Sequence, residues 1–285
     1  MGKISLEIQE ENFLKRSNAS FSLFMHVGMD RLSYLIYDTQ FQILGLRSYE
    51  WENPNGPGFD LRESLKEVFI ADEWLRNAFQ DIRIAVSNKD FTLIPDRLYN
   101  QQHQTDYLKK LVPLLSTSQT QANHLSNLGL YNVFALDGPI KSLLESYFPN
   151  ARLYHLCTAL MKGFQEMANL QSGPRIFLNV YNRQVQILAF EDGRLILANV
   201  YDFQSSRDFI YYVMLVFDQF NWKPETVPVS LAGHIVEDSQ IYHMLYRYIR
   251  HLSMVKAPSH WLFGAKFGET PRHFFFDLYS LQLCE

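Results

Sequence analysis

Two stretches of the chain open with the same series of elements, and this repetition limits the fold more than any other feature. Residues 21–27 form a largely apolar run of β-favouring residues that ends at Gly28. Residues 32–37 and 41–49 follow after short spacers, so the three runs read as an antiparallel meander. Helical spacing of Leu61, Leu65, Val68, Phe69 and Leu75 predicts a helix over 61–79, and residues 82–86 read as a buried strand. The pattern then returns. Residues 176–181, 185–190 and 194–201 are three more strands, the last two joined at the hairpin signal Glu191-Asp192-Gly193. A helix over 206–220 and a strand over 227–231 complete the second copy. An offset of 153 positions lays Phe24 on Phe177, Val27 on Val180, Leu32 on Val185, Leu35 on Leu188 and Tyr37 on Phe190. Apolar falls on apolar with the same pleat parity, as two copies of one hairpin require. The repeat is far too long for a solenoid unit, so it implies two similar lobes, 1–155 and 156–285, facing each other across a cleft.

Between the two copies the pattern is less regular. Strands are expected at 91–95, 130–136 and 151–155, and helices at 106–115, 139–147 and 157–170, with Pro139 in a first turn. Towards the C-terminus a helix is expected at 239–252 and strands at 261–263 and 274–276. Residues 209–217 are apolar on every side, which predicts a helix buried all round: an ordinary core helix of the second lobe, or one sandwiched between lobes or in a homodimer.

Composition narrows the function classes. The 285 residues carry 26 Lys and Arg against 30 Asp and Glu, and no basic run is present, which argues against nucleic acid as the main partner. No apolar h-region of a signal peptide follows the charged residues Lys3, Glu7, Glu10, Glu11 and Lys15, so no signal peptide is expected, and Leu6 stands where a myristoylation signal needs Ser or Thr. No run is long enough to span a membrane. Cys157 and Cys284 lack metal-ligand spacing and read as reduced thiols of a cytoplasmic protein, which makes the Asn18-Ala19-Ser20 sequon a chance match.

A duplicated three-strand meander with helix resembles the actin-like ATPase fold, an α/β fold of two ribonuclease-H-like lobes. Residues 177–197, with the Glu191-Asp192-Gly193 turn, look most like the second phosphate region of the pilus-assembly and secretion-platform branch. The whole chain resembles an uncharacterised bacterial family with this fold. In the superfamily each first hairpin carries an Asp-x-Gly phosphate motif with a hydroxyl residue nearby, and Asp residues organise a magnesium ion around ATP. By this resemblance the first Asp falls on His26, its Gly on Gly28 and its hydroxyl position on Met29. The second Asp falls on Asn179, its Gly on Tyr181 and its hydroxyl on Gln184. The adenosine motif falls on Leu231-Ala232-Gly233-His234, which keeps one of two glycines. A hard cation wants anionic oxygen ligands, and neither His26 nor Asn179 offers one. A phosphate needs close backbone approach, and Tyr181 would put a phenol ring there.

The candidate positions are therefore His26, Gly28, Asp30, Asn179, Tyr181, Gly233 and His234. Phosphoryl transfer rests on positioning and electrostatics, so the lost carboxylates point to a degenerate module that no longer hydrolyses ATP and acts as a protein-interaction or scaffold protein. Two alternatives remain: a nucleotide sensor admitting ligand at Gly28 and Gly233, and a nucleotide-dependent transferase with a relocated metal site using Asp30, His26 or Asp137. No cofactor is read from the residues themselves, and ATP is the ligand the resemblance implies. The C-terminal histidines His234, His243, His251, His260 and His273 show no metal spacing, and Arg247 falls between His243 and His251. No Gly-x-Ser-x-Gly elbow or P-loop is present.

Overall fold

Both copies of the repeated hairpin form, because each run alternates residues that two apolar layers can cover. In the computed structural model, which describes residues 2–11, 13, 20–54, 56–268 and 270–285, an added strand β1 (Lys3–Gln9) precedes the first meander, β2 (Phe21–Val27), β3 (Arg31–Tyr37) and β4 (Ile43–Glu50). Lys15 and, of the sequon, Asn18 and Ala19 lie outside the described residues. Every residue of β2 and β3 is buried, as befits strands covered on both faces.

Helix α1 (Leu61–Ala71) stops short of the expected end. Asp72 caps a 3-10 turn over Glu73–Arg76 instead, and β5 (Phe79–Val86) begins directly after it. A smaller module follows: β6 (Phe91–Pro95), α2 (Gln104–Lys109), β7 (Ser118–Leu125) and β8 (Leu130–Asp137). Helix α3 (Gly138–Tyr147), strand β9 (Arg152–His155) and helix α4 (Leu156–Ala168) come next.

The second meander is β10 (Pro174–Tyr181), β11 (Gln184–Glu191) and β12 (Arg194–Asp202). Its second turn has positive φ at both Asp192 (49°) and Gly193 (75°), the geometry that matches hairpin twist. Helix α5 (Ser206–Gln219) opens with a capping box in which Ser205 and Asp208 satisfy each other's backbone N–H groups. Strand β13 (Val229–Gly233), α6 (Gln240–Tyr248), β14 (Leu252–Met254) and α7 (Phe276–Ser280) complete the chain.

The strand orders show the duplication. The first sheet runs β1-β4-β3-β2-β5-β9 and the second β12-β11-β10-β13-β14. In each, a meander is followed by two parallel neighbours: β2 pairs with β5 and β5 with β9, β10 with β13 and β13 with β14. The register repeats as well. His26 faces Ser33 in the first hairpin, and Asn179 faces Gln186 in the second.

Two compact units result: Met1–Thr158 with Pro258–Thr270, and Ala159–Ala257 with Pro271–Glu285. The sequence reading ran the second lobe unbroken from 156 to 285, whereas 258–270 packs on the first unit. The structure corrects the two tail strands. Residues 261–263 make only a single bridge, Gln42 to Leu262, because Trp261 is used as a plug against Phe24, Tyr37 and Phe41. Residues 274–276 pass from a 3-10 turn into α7, where the Phe276 ring stacks on Phe164 at 4.7 Å. Helix α5 is not buried all round: Tyr211 (62% exposed) and Leu215 (39%) form an outer stripe.

Candidate functional site

In the first unit the resembled positions lie at the turn from β2 to β3. His26 is buried near the end of β2, at 2% exposure. The turn closes through Gly28 N–H donating to the Arg31 carbonyl at 2.9 Å. A Cβ at Gly28 would meet Arg31 Cγ and Ser87 Oγ at 3.4 Å, ordinary contacts, so the turn makes no special demand for glycine. Asp30 accepts the Trp51 N–H on its carbonyl, and its carboxylate lies 3.6 Å from Nε of the buried Arg31. A guanidinium so placed competes with any cation for that carboxylate. Met29, at the hydroxyl position, is exposed.

His155, which the sequence reading passed over, is fully buried two strands from His26, beyond β5. Its Nε2 donates to the Asn88 carbonyl at 3.1 Å, and its Nδ1 accepts the Cys157 N–H at 3.2 Å. Both nitrogens are thus satisfied by the neutral ring. Burial pushes its pKa down to about 4; the Asn88 bond opposes this and the neighbouring His26 adds to it. Burial likewise pushes the Cys157 thiol up, which favours its neutral form. Nothing in the sequence spacing of His26 and His155 marks this juxtaposition.

In the second unit Asn179 is completely buried, and its Nδ2 donates to Gln186 Oε1 at 2.8 Å. Gln186 Nε2 in turn donates to Gln184 Oε1 at 3.1 Å. The positions resembling the second Asp and hydroxyl are thus linked by a chain of amides. Tyr181 donates its hydroxyl to the Phe274 carbonyl at 2.8 Å. The His234 ring lies 5.0 Å from Tyr181 and 4.9 Å from Phe274. Gly233 has φ +81°, and a Cβ there would stand 2.2 Å from the Val180 carbonyl oxygen. Its glycine is required by the close approach of β13 to β10.

One other polar centre escaped the sequence reading. In the first unit Asp72 accepts from Arg47 Nη1 at 2.6 Å, from Tyr49 Oη at 2.8 Å, from the Trp74 N–H at 3.0 Å and from the Tyr34 hydroxyl. Arg47 stacks 3.8 Å over Trp74 and reaches Glu7 at 2.7 Å. Burial and the Asp72 carboxylate push both tyrosines well above the usual phenol range. This network floors a cavity of about 540 Å³ that Ile4, Glu73 and Arg76 also line. Asp137, the other carboxylate weighed for a metal site, accepts the Thr117 hydroxyl at 3.0 Å. Among the described residues no three His, Cys, Asp or Glu side chains converge as a metal site, and no helix is long and apolar enough to cross a membrane.

A family model described as a protein of unknown function, DUF3822, matches residues 10–252. The chain belongs to the DUF3822 family. This DUF3822 chain is similar to a Bacteroides thetaiotaomicron protein with actin-like ATPase fold and unknown function, at TM-score 0.78 and 21% identity over 97% of this chain and 100% of that one. It is also similar to a structure of the PilM-PilN type IV pilus biogenesis complex, at TM-score 0.60 and 12% identity over 92% of this chain and 97% of that one. These likenesses show the actin-like ATPase fold that the duplicated meander implied. No curated protein sequence matches the DUF3822 chain.

Proposed function

We propose that the chain is a degenerate actin-like module that does not hydrolyse ATP and acts as a protein-interaction or scaffold protein. The observation that carries this reading is the use of the second phosphate position for internal structure. Asn179 Nδ2 donates to Gln186 Oε1 inside the fold, Tyr181 is tied to Phe274, and the space beside Gly233 is filled by the Val180 backbone. A magnesium nucleotide does not fit these residues. The second position offers a buried amide where a carboxylate would be needed, and the first offers a buried imidazole. The PilM-PilN complex gives the fold a precedent for work through a protein partner.

The sensor alternative loses support at Gly233, whose missing side chain serves the contact of two strands. The transferase alternative would need Asp30 or Asp137 as metal ligands, and both carboxylates already have neighbours in the fold. Steady-state ATP turnover with magnesium tests the proposal. Turnover at the level of a protein-free blank is expected. Turnover that disappears in Asp30→Ala or Asp137→Ala would overturn it.

A further inference from the structure

Ligands of open α/β sheets bind in the crevice outside the carboxyl ends of the parallel strands. In the second unit the carboxyl ends of β10 and β13 are covered by the chain's own segment 271–275. Tyr181 closes β10 and donates its hydroxyl to the Phe274 carbonyl at 2.8 Å. His234 follows β13, and its ring lies between those of Tyr181 and Phe274. His273 Nε2 donates to the Ile235 carbonyl at 2.8 Å.

The segment has an anchored end and a surface end. Phe275 and Phe276 are buried in the core, whereas Pro271, His273 and Phe274 are half-buried and Arg272 is exposed. What lies over the strand ends is held by contacts that include the Tyr181 and His273 hydrogen bonds and ring contacts, and Arg272 is exposed on its other side.

We infer that this crevice is a docking site for an aromatic peptide of a partner protein that presents a short turn, the form in which segment 271–274 occupies it in cis. The inference rests on the interaction-module reading above. The seated segment displays the chemistry accepted: a ring against the His234 imidazole, and a main-chain carbonyl where the Tyr181 hydroxyl can reach it. The tethered segment competes at a high effective concentration, so an incoming peptide gains only when the cis ring is removed.

The test uses the full-length protein and a fluorescein-labelled peptide with the sequence of residues 271–276, followed by fluorescence anisotropy. Phe274→Ala is expected to bind the peptide at least about tenfold more tightly than the unsubstituted protein, a difference of about 1.4 kcal/mol. A control peptide with alanine in place of its first phenylalanine is expected to lose that gain. Equal binding to both proteins, or a gain kept by the control peptide, overturns the inference. Should Phe274→Ala fail to fold, Tyr181→Phe keeps the ring and removes one hydrogen bond. Faster amide hydrogen exchange in 272–275, with β10 and β13 unchanged, supports the strap, and unchanged exchange there overturns it. The assay contains no nucleotide, so its failure leaves the non-hydrolysing reading standing, and ATP turnover would sink that reading without altering the peptide result.

Discussion

The hydroxyl of Tyr181 and the main-chain carbonyl of Phe274 meet at 2.8 Å across 93 positions of sequence. Tyr181 stands where the resembled motif has a glycine. Its hydroxyl gives the C-terminal segment a hydrogen-bond partner, and on the reading proposed above its ring would take the space a phosphate needs. Asn179, two residues earlier on the same strand, is a buried amide whose Nδ2 donates to Gln186 Oε1.

Asp72→Asn should destabilise the first unit. The carboxylate has no solvent exposure, and Arg47 depends on it for one of its two ion pairs. Removing the buried partner leaves Arg47 with the partly exposed Glu7 alone, a loss of about 3 kcal/mol. Urea denaturation followed by fluorescence would read it as a lower midpoint with an unchanged slope.

Stability should fall as pH drops from about 6.5 to about 4. His155 has a folded pKa of about 4, below its ordinary 6.5, so in this window the unfolded chain binds the extra proton. The effect is on the order of 3 kcal/mol. Burial lowers the pKa of His273 too, which acts in the same direction. Denaturation at pH 7 and pH 4.5 should show a smaller pH-dependent loss in His155→Gln than in the unsubstituted protein.

Gly233→Ala should destabilise the second unit without any ligand present. The substitution forces φ +81° on an L residue and drives Cβ against the Val180 carbonyl oxygen. A loss of about 2 kcal/mol or more is expected, and thermal unfolding would show it. A variant as stable as the parent would mean the glycine serves something other than the β10–β13 contact.

The meanders were legible because Phe24, Leu32, Phe177 and Val185 repeat one pleat pattern at one offset. Strand β7, Ser118–Leu125, was not, because its residues are mostly polar and show no alternation. Its place is set by tertiary partners. Asn123 donates to the Leu153 carbonyl at 3.2 Å and accepts the His155 N–H at 2.9 Å, closing the open edge of β9 with a side-chain amide. The candidate positions His26, Asn179, Tyr181 and Gly233 come from the family resemblance, not from the hairpin spacing. Phe274 was not legible, since only the fold brings it to Tyr181, and its aromatic run looked like a strand until the packing of Phe276 on Phe164 made it a helix.

Thermal unfolding with magnesium-ATP, with magnesium-ADP and with metal-free ATP tests the central claim most directly. A ligand at a hundred times its dissociation constant stabilises by roughly 2.7 kcal/mol. For a chain of this size that moves the midpoint by about 5 °C or more. The account expects no shift with any of the three. A magnesium-dependent shift would contradict it, because the metal carboxylates would then lie at positions other than those read here, and a metal-independent shift would move the sensor reading ahead.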